Sequence, residues 1–507
     1  MTTLIKYLVA TILVLGSAFL PAGQAGAKAQ SYSATVLDAK TGEPIPFATI
    51  QLSKNRGTVT NGEGIFSIDM EDVAKLRDSV FISSMGYEEV SIYPKKATDT
   101  IIRLAEKLNE LEIVFLTDNP LEPNEIVERI KENLASNYPN NYTQKKLFFR
   151  QSLYNKMNRA DVDFKKSTIE ELNEALIDSI VMQIPKESSY YSESIGTLSG
   201  NYNKQKLFVD KSAKLYDKSK DVSFDGFGKR LEKIFKENVK PDSYLKIKSG
   251  WFGTKVELDE VETKEAPDGD DGGVQVRVGE DPTTQDITSG VKDDINELYE
   301  QLFFQEDTKL DFLQKSNRYE FTQTGITSIG ENLVYILDFE PKGGKDFSGT
   351  MYVNTDDFAI VRLDFQNVKK LYGIKLLGIG YRDILYKGTS LFAKDESSGY
   401  SLKYMELERG IEFTLDRPLT VIEKNKNVKG RRKQNELDLN LDFKTTAVTK
   451  SEFVVFDSKD LSESDYGIAK ESTGVEATYL SAYDPAFWEG YTIMEPNATI
   501  QAFKVVE

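Results

Sequence analysis

Any catalysis by this 507-residue chain would have to run on carboxylates, tyrosines, a serine–lysine pair or a metal held by oxygen atoms, because cysteine and histidine are both absent. Without them there is no disulfide, thiolate nucleophile, imidazole base, Ser-His-Asp triad or Cys/His zinc site, and no haem with a His or Cys axial ligand. Acids are plentiful, with 81 Asp and Glu against 64 Lys and Arg and a formal charge of −17. Two of them facing each other about 5–9 Å apart across a cleft could hydrolyse a glycan, but the order of residues singles out no pair. The acid-rich stretch from Glu260 to Asp281 contains Pro267-Asp-Gly-Asp-Asp-Gly-Gly273. Begun at Asp268, a calcium loop would place Gly272 and Gly279 where oxygen ligands belong, so the stretch reads as a flexible acidic loop. The expectation is no catalytic residue, no metal and no cofactor.

Three further patterns have a plain reading beside a functional one. Gly373 to Gly380 (GIKLLGIG) lacks the spacing of a phosphate-cradling loop and sits among strands, which points to bulges or close packing. Trp251, Trp488 and the tyrosines could stack on sugars, although single aromatics in a β-rich chain usually fill cores. Lys424, Lys426, Lys429, Arg431, Arg432 and Lys433 form a basic hairpin tip around Gly430. It reads as a solvated loop or as a contact for an anion such as a phosphorylated lipid headgroup. The acidity elsewhere argues against nucleic acid as a partner.

The elements that would position these groups begin after an address. Residues 1–29 read as a secretory signal: Lys6, an apolar run from Leu8 to Leu20, then A-x-A sites ending at Ala27 and Ala29. The run is shorter than the roughly 20 residues needed to span a bilayer. With no cysteine at the cleavage site, a lipoprotein is excluded. Residues 30–116 alternate apolar and polar with period two, as in Ala48, Ile50, Leu52 and in Phe66, Ile68, Met70. Turns at Thr41-Gly-Glu-Pro44 and Asn61-Gly-Glu-Gly64 divide these short strands into a β-sandwich.

The segments VLDAKTGEPIPFATIQL, GTVTNGEGIFSI, DSVFISSMGYEEVSI and LNELEIV, in this order, resemble the carboxypeptidase-like regulatory domain over Ser31 to about Val114. The resemblance implies a small transthyretin-like (prealbumin-like) sandwich without catalytic residues of its own. Such modules occur beside metallocarboxypeptidase domains and at the N-terminus of Bacteroidota envelope proteins, including outer-membrane glycan transporters. A metallocarboxypeptidase would need His ligands. A transporter would need a plug and a barrel of about 22 strands, too much for the 391 residues after position 116.

Those residues divide into a mixed helix/strand region, 117–316, and an antiparallel β-rich region, 317–507, expected to form one domain. Helices are expected over Glu125–Ala135, from a capping box at Ser167-Thr-Ile-Glu170 to about Met182, around Leu231, Ile234 and Phe235, and over Val291–Phe303. A strand is expected at Leu147–Arg150. Leu333, Tyr335, Leu337 and Phe339 alternate with Val334, Ile336 and Asp338, and Ala359, Val361, Leu363 and Phe365 follow after a turn at Asn354–Asp357. Leu437, Leu439, Leu441 and Phe443 alternate with Asp438, Asn440, Asp442 and Lys444. Strict alternation calls for an antiparallel sheet with one covered face. GTMYVNTDDFAIVRLDF resembles the hairpin of bacterial lipoprotein-carrier folds, in which a half-barrel shelters an acyl chain. The whole arrangement, with its Phe487-Trp-Glu-Gly-Tyr491 ending, resembles Bacteroidota envelope proteins that pair the two parts.

The sequence therefore predicts a mainly β protein with some α: an N-terminal prealbumin-like sandwich, then a larger α+β domain with an extended antiparallel, half-barrel sheet. The expected function is that of a non-enzymatic, exported periplasmic or outer-membrane-associated binding or scaffold protein, with lipid, glycan or envelope proteins as partners. The alternatives are a carboxylate-dependent glycan hydrolase and a structural accessory of an outer-membrane complex. Intact-mass measurement of the exported protein should show an N-terminus at Lys28 or Gln30; retention of residues 1–27 would mean the leader stays as an anchor.

Overall fold

The computed structural model describes residues 31–505 apart from 54–55, 71–72, 74–78, 95–99, 108–120, 219–232, 235–236, 241, 251, 258–285, 345, 396–398, 429 and 431. The signal segment, the acidic loop, Trp251, Leu231, Phe235, Lys429 and Arg431 lie outside the described residues. The first seven strands are β1 (Ser31–Asp38), β2 (Thr49–Ser53), β3 (Arg56–Val59), β4 (Ile65–Asp69), β5 (Val80–Ser83), β6 (Val90–Ile92) and β7 (Ile101–Leu104). They make two layers, β4-β1-β7 and β3-β2-β5-β6. Val36, Ile50, Phe66, Ile68, Ile82 and Leu104 fill the space between them, so the period-two pattern becomes a sandwich core. Gly42 and Gly64 adopt φ of 75° and 73° at the two expected turns, a region glycine enters without steric cost.

The rest comprises α1 (Pro123–Asn137), β8 (Thr143–Ser167), α2 (Glu174–Gln183), β9 (Glu187–Gly200), β10 (Gln205–Tyr216), β11 (Ser243–Ser249), β12 (Phe252–Glu257) and α3 (Ile287–Glu300). Then come β13 (Tyr319–Ile329), β14 (Asn332–Pro341), β15 (Phe347–Asn354), β16 (Ile360–Asn367), β17 (Tyr372–Leu376), β18 (Ile379–Asp395), β19 (Gly399–Asn425) and β20 (Lys433–Asp460). The chain finishes with α4 (Glu463–Ile468), β21 (Thr478–Leu480) and α5 (Ala498–Gln501). One ladder runs β13-β14-β15-β16-β18-β19-β20-β8-β9-β10-β21, with β17 on β18 and β12-β11 on the far end of β19. It never returns on itself, so among the described residues the sheet is open, not a closed barrel. Because β8 pairs with β20 from Thr143 to Ser167, residues from both sides of position 317 build the same sheet.

The sheet curls around α1 and α3. Ile126 and Ile130 of α1 and Val291, Ile295 and Leu298 of α3 share one buried cluster with Phe149, Leu337, Met351, Leu363, Leu402 and Phe453 from six strands. Phe312 stacks on Phe339 with ring centroids 4.3 Å apart, and Tyr138 stacks on Phe304 at 4.8 Å. The start of α1 is set by a capping box between Glu122 and Glu125 with Pro123 at the first turn. Asp286 caps α3, accepting from Thr288 N at 3.0 Å.

Several local expectations are corrected. Ser167-Thr-Ile-Glu170 does not open α2; Asn173 caps it, accepting from Leu176 N at 3.0 Å. Ser167 is paired with Leu437 as the last residue of β8, so its backbone is committed to the ladder. In β14 the buried residues are Val334, Leu337 and Phe339, whereas Leu333 is exposed. The ladder register shifts between Gln323 and Gly325 opposite Leu337 and Ile336. Residues 143–257 hold five strands where only Leu147–Arg150 had been expected.

The outer face of the sheet carries the sandwich and the C-terminal segment. Val59 joins Phe148, Tyr191, Leu215, Tyr404, Val454 and Phe456, with Trp488, Ile493, Met494 and Ile500 above them. Arg150 is only 1% exposed and Glu193 0%, yet they form an ion pair, Nε to Oε1 at 2.6 Å. Trp488 Nε1 donates to the second Glu193 oxygen at 3.0 Å, and Arg150 Nη2 donates to Met494 O at 2.8 Å. Asn61 orders its own turn, accepting from Glu63 N and Ile65 N at 2.9 Å, while its Nδ2 donates to Glu495 O and Pro496 O at 3.3 and 3.2 Å. Replacing Arg150 by Met should lower unfolding free energy by roughly 3–5 kcal/mol, since Glu193 is left buried without its cation. The double change Arg150→Met, Glu193→Gln should recover part of that in urea denaturation. Equal losses in the single and double variants would assign the effect to packing instead.

Candidate functional site

The inner face of the sheet divides at the end of α3. There Arg409 holds Glu297, with Nη2 2.8 Å from Oε2, and Gln151 donates to Asp294 at 2.9 Å. On the near side of these contacts α1 and α3 fill the curl. On the far side most inward residues of β17, β18, β19, β20 and β8 are still apolar, and of these only Leu437 is packed against a buried cluster among the described residues.

Strand register places them side by side, since directly paired residues share a face. Ile379, Leu415, Phe443 and Ala160 form one row; Ile374, Tyr381, Phe413, Thr445 and Met157 form the next. Leu441 and Val162, then Leu419, Leu439 and Phe164, continue toward Val421 and Leu437. All but the exposed Ile374 and Ile379 and the buried Leu439 are half-buried. The five strands span about 19 Å, and Ile411 to Val421 runs about 34 Å. Arg417 lies in this strip, paired with Leu441 and donating to Ser249 O.

The opposite face of the same strands is charged. Arg382 Nη1 sits 3.2 Å from Glu412, Lys444 2.8 Å from Glu412, and Arg159 2.9 Å from Asp442. The hydrogen bond from Lys444 holds the Glu412 carboxyl below its ordinary range. At one end of the apolar strip α2 closes over it, with Ile169, Leu172, Leu176 and Ile234 packed against Leu437. Beside the strip, across β8, a cleft of about 500 Å³ opens between Leu153, Asn155, Ser188, Tyr190, Tyr216 and Phe503. Leu153, Tyr190 and Tyr216 are register partners on the inner face, so the cleft adjoins the strip through Asn155 and Met157.

The groups with chemical promise are not brought together. Burial pushes Asp294 up to about 6, against the hydrogen bond from Gln151, and burial likewise raises Glu495. Neighbouring residues 151 and 150 point to opposite faces, however: Gln151 meets Asp294 inside, while Arg150 meets the Glu495 carbonyl outside at 3.4 Å. The sheet therefore separates these two acids. Lys145 is pushed down to about 8 by burial first and by Lys403 second, and it donates to Thr143. That pair is buried beside Tyr202 and lines none of the clefts described here. Among the described residues no group of three or more acids is placed to hold a metal ion.

The sequence-marked features fall as follows. Trp488 is core, 3% exposed and bonded to Glu193. Lys424, Lys426, Arg432 and Lys433 surround the β19–β20 hairpin tip, with Lys433 paired to Glu436. Gly378 makes the β17–β18 turn at φ 83°, and a Cβ there would lie 1.9 Å from Asp416 O, so close packing explains this glycine. The inner strip was visible only in part. Leu437–Phe443 announced one strand of it, but nothing in the chain order brings Met157, Val162 or Phe413 alongside.

A sign follows for acid stability. Asp294 has its folded pKa raised, so the folded state binds more protons than the unfolded state between its unfolded value near 4 and about 6. Stability should fall as pH rises through that window and then level off, and Asp294→Asn should flatten the change in denaturation midpoints measured from pH 4 to 7. An identical profile in the variant would remove Asp294 as its source.

Residues 32–116 match the family model described as CarboxypepD_reg-like domain, which agrees with the sandwich seen over β1–β7. A search of curated proteins finds no match. Among solved structures, the chain is similar to one titled "The complex structure of Pseudomonas aeruginosa MucA/MucB", at 7% identity, covering 67% of this chain and 99% of that one, with a TM-score of 0.17. A second, "Crystal structure of MucB in complex with MucA(peri)", shows 8% identity, 67% and 100% coverage, and a TM-score of 0.16. Pseudomonas aeruginosa OpdQ follows at 8% identity, 62% and 98% coverage, and a TM-score of 0.11.

Proposed function

We propose that this is a non-catalytic, exported envelope protein that binds the apolar chain of an amphiphile along the inner strip, with the sandwich serving as an interaction module. The observation that carries the reading is the strip itself. Apart from Arg417, Thr445 and Asp383 the inward residues of five adjacent strands are apolar, the outward residues of the same strands include paired charges, and the filling helix stops short of them. A contiguous apolar face of this extent on a soluble domain marks a binding surface. Its side chains offer few hydrogen-bond donors, which suits an acyl chain better than a sugar.

The module at residues 32–116 fits a binding or scaffold role. No helix among the described residues is long and apolar enough to cross a membrane. Binding is favoured over carboxylate hydrolysis because Asp294 and Glu495, both raised by burial, sit on opposite faces of the sheet.

Native mass spectrometry of the purified mature protein should show mass adducts of lipid size that organic extraction removes. Leu441→Glu with Phe443→Glu should weaken binding of a fluorescent fatty-acid probe by at least about tenfold, the loss of roughly two methylene contacts, with an unchanged melting midpoint. Absence of adducts together with unaltered probe binding would discard the carrier reading and leave the scaffold.

A further inference from the structure

At the β17 edge of the inner strip the β17–β18 hairpin adds cations and a turn that the strip does not explain. In a chain of net charge −17, the segment Gln366–Arg382 (QNVKKLYGIKLLGIGYR) contains four cations and no acid. The same segment concentrates exposed apolar surface: Tyr372 is 57% exposed, Ile374 49%, Leu376 61%, Leu377 54% and Ile379 41%. Every residue of β17 is exposed, and among the described strands β17 pairs only with β18. Tyr372, Ile374, Leu376 and Ile379 share one face by register, and Leu377 sits at the turn with φ 50°. Lys375 and Arg382 alternate to the other face. Lys370 and Lys375 form no salt bridge among the described residues and flank a shallow cleft with Leu371, Tyr372 and Ile374.

We propose that this hairpin docks the protein on an anionic lipid surface. Leucine and isoleucine side chains beside lysines are the arrangement that interfacial binding requires: apolar groups enter the boundary region while cations meet the headgroups. A protein partner would be expected to meet the five-residue open edge of β17 by strand addition. The cations favour the membrane, because a local positive charge on an otherwise acidic molecule fixes which side faces a negative surface. Ile374 and Ile379 are also the edge residues of the inner strip, whereas Leu377 and the lysines lie outside its rows, so docking through the hairpin does not require the rest of the strip to hold a ligand.

The test is co-sedimentation of the mature protein with phosphatidylcholine vesicles made with and without phosphatidylglycerol. Binding should require the anionic lipid and decline with added salt. Lys370→Glu with Lys375→Glu should weaken it at least about tenfold, and Leu376→Ser with Leu377→Ser should abolish it. Both variants should keep the wild-type melting midpoint, since these side chains pack against little. Leu441→Glu, in the strip, should bind vesicles as the wild type does. Equal sedimentation of wild type and both hairpin variants, or no binding to the anionic vesicles, overturns the proposal. So does a dimer in sedimentation velocity that either hairpin variant dissolves, which would assign the edge to a second copy of this chain.

Discussion

A buried charge with three anchors holds this molecule's parts in one arrangement. Arg150 projects from β8 to the outer face, where Glu193 neutralises it and Glu452 lies 3.7 Å away. Its remaining donors hold the carbonyls of Met494 and Glu495. Removing two charges from water costs several kcal/mol per ion, and the cost is offset only when geometry and secondary hydrogen bonds are complete. That requirement links otherwise separate elements. The C-terminal segment must lie where its carbonyls reach Arg150 and its Trp488 reaches Glu193. The sandwich must then follow, because Asn61 donates to the adjacent carbonyls and Phe47 stacks on Tyr404 with centroids 4.8 Å apart.

With the outer face fixed in this way, the inner face is left to two different uses. Where α1 and α3 lie against it, the packing is that of an ordinary core, and aromatic rings from Tyr138, Phe303, Phe312 and Phe392 interlock. Beyond the Arg409–Glu297 pair the same strands continue with the same alternation but no helix of the core above them. The pair is well suited to that boundary. A guanidinium and a carboxylate end the apolar packing on one side and keep water-accessible polarity next to Asp294 on the other. The binding reading depends on this change of environment along continuous strands rather than on any reactive group.

Much of the fold was legible because it follows from local rules. The alternation at Ala48–Leu52 and Phe66–Ile68 became the sandwich layers, Gly42 and Gly64 made the turns their backbone freedom suits, and the spacing of Ile126, Ile130 and Leu134 became α1. Other elements were obscured for physical reasons. β9 is rich in Ser and Gly and looks like a loop, yet Glu193 and Ser194 are buried in it, and a Cβ at Gly196 would strike Phe208 O at 2.3 Å. Its small residues permit close approach of β10 rather than marking a turn. β8 beyond Tyr154 alternates lysine, asparagine and aspartate with single apolar residues, because one side faces solvent. The capping motif at Ser167 lost to the ladder with β20, since a backbone already hydrogen-bonded in a sheet cannot also begin a helix.

The sequence by itself determined the excluded chemistry, the sandwich and the one-sided character of the late strands, because composition and period-two patterning act within a few residues of chain. Only the tertiary structure decided that Arg150 and Glu193 meet, that Asp294 and Glu495 are kept apart by a sheet, and that residues near 160, 413 and 443 form a single apolar strip. Those outcomes depend on pairing between segments tens to hundreds of residues apart, and a strand's register with a distant partner leaves no mark in either segment alone.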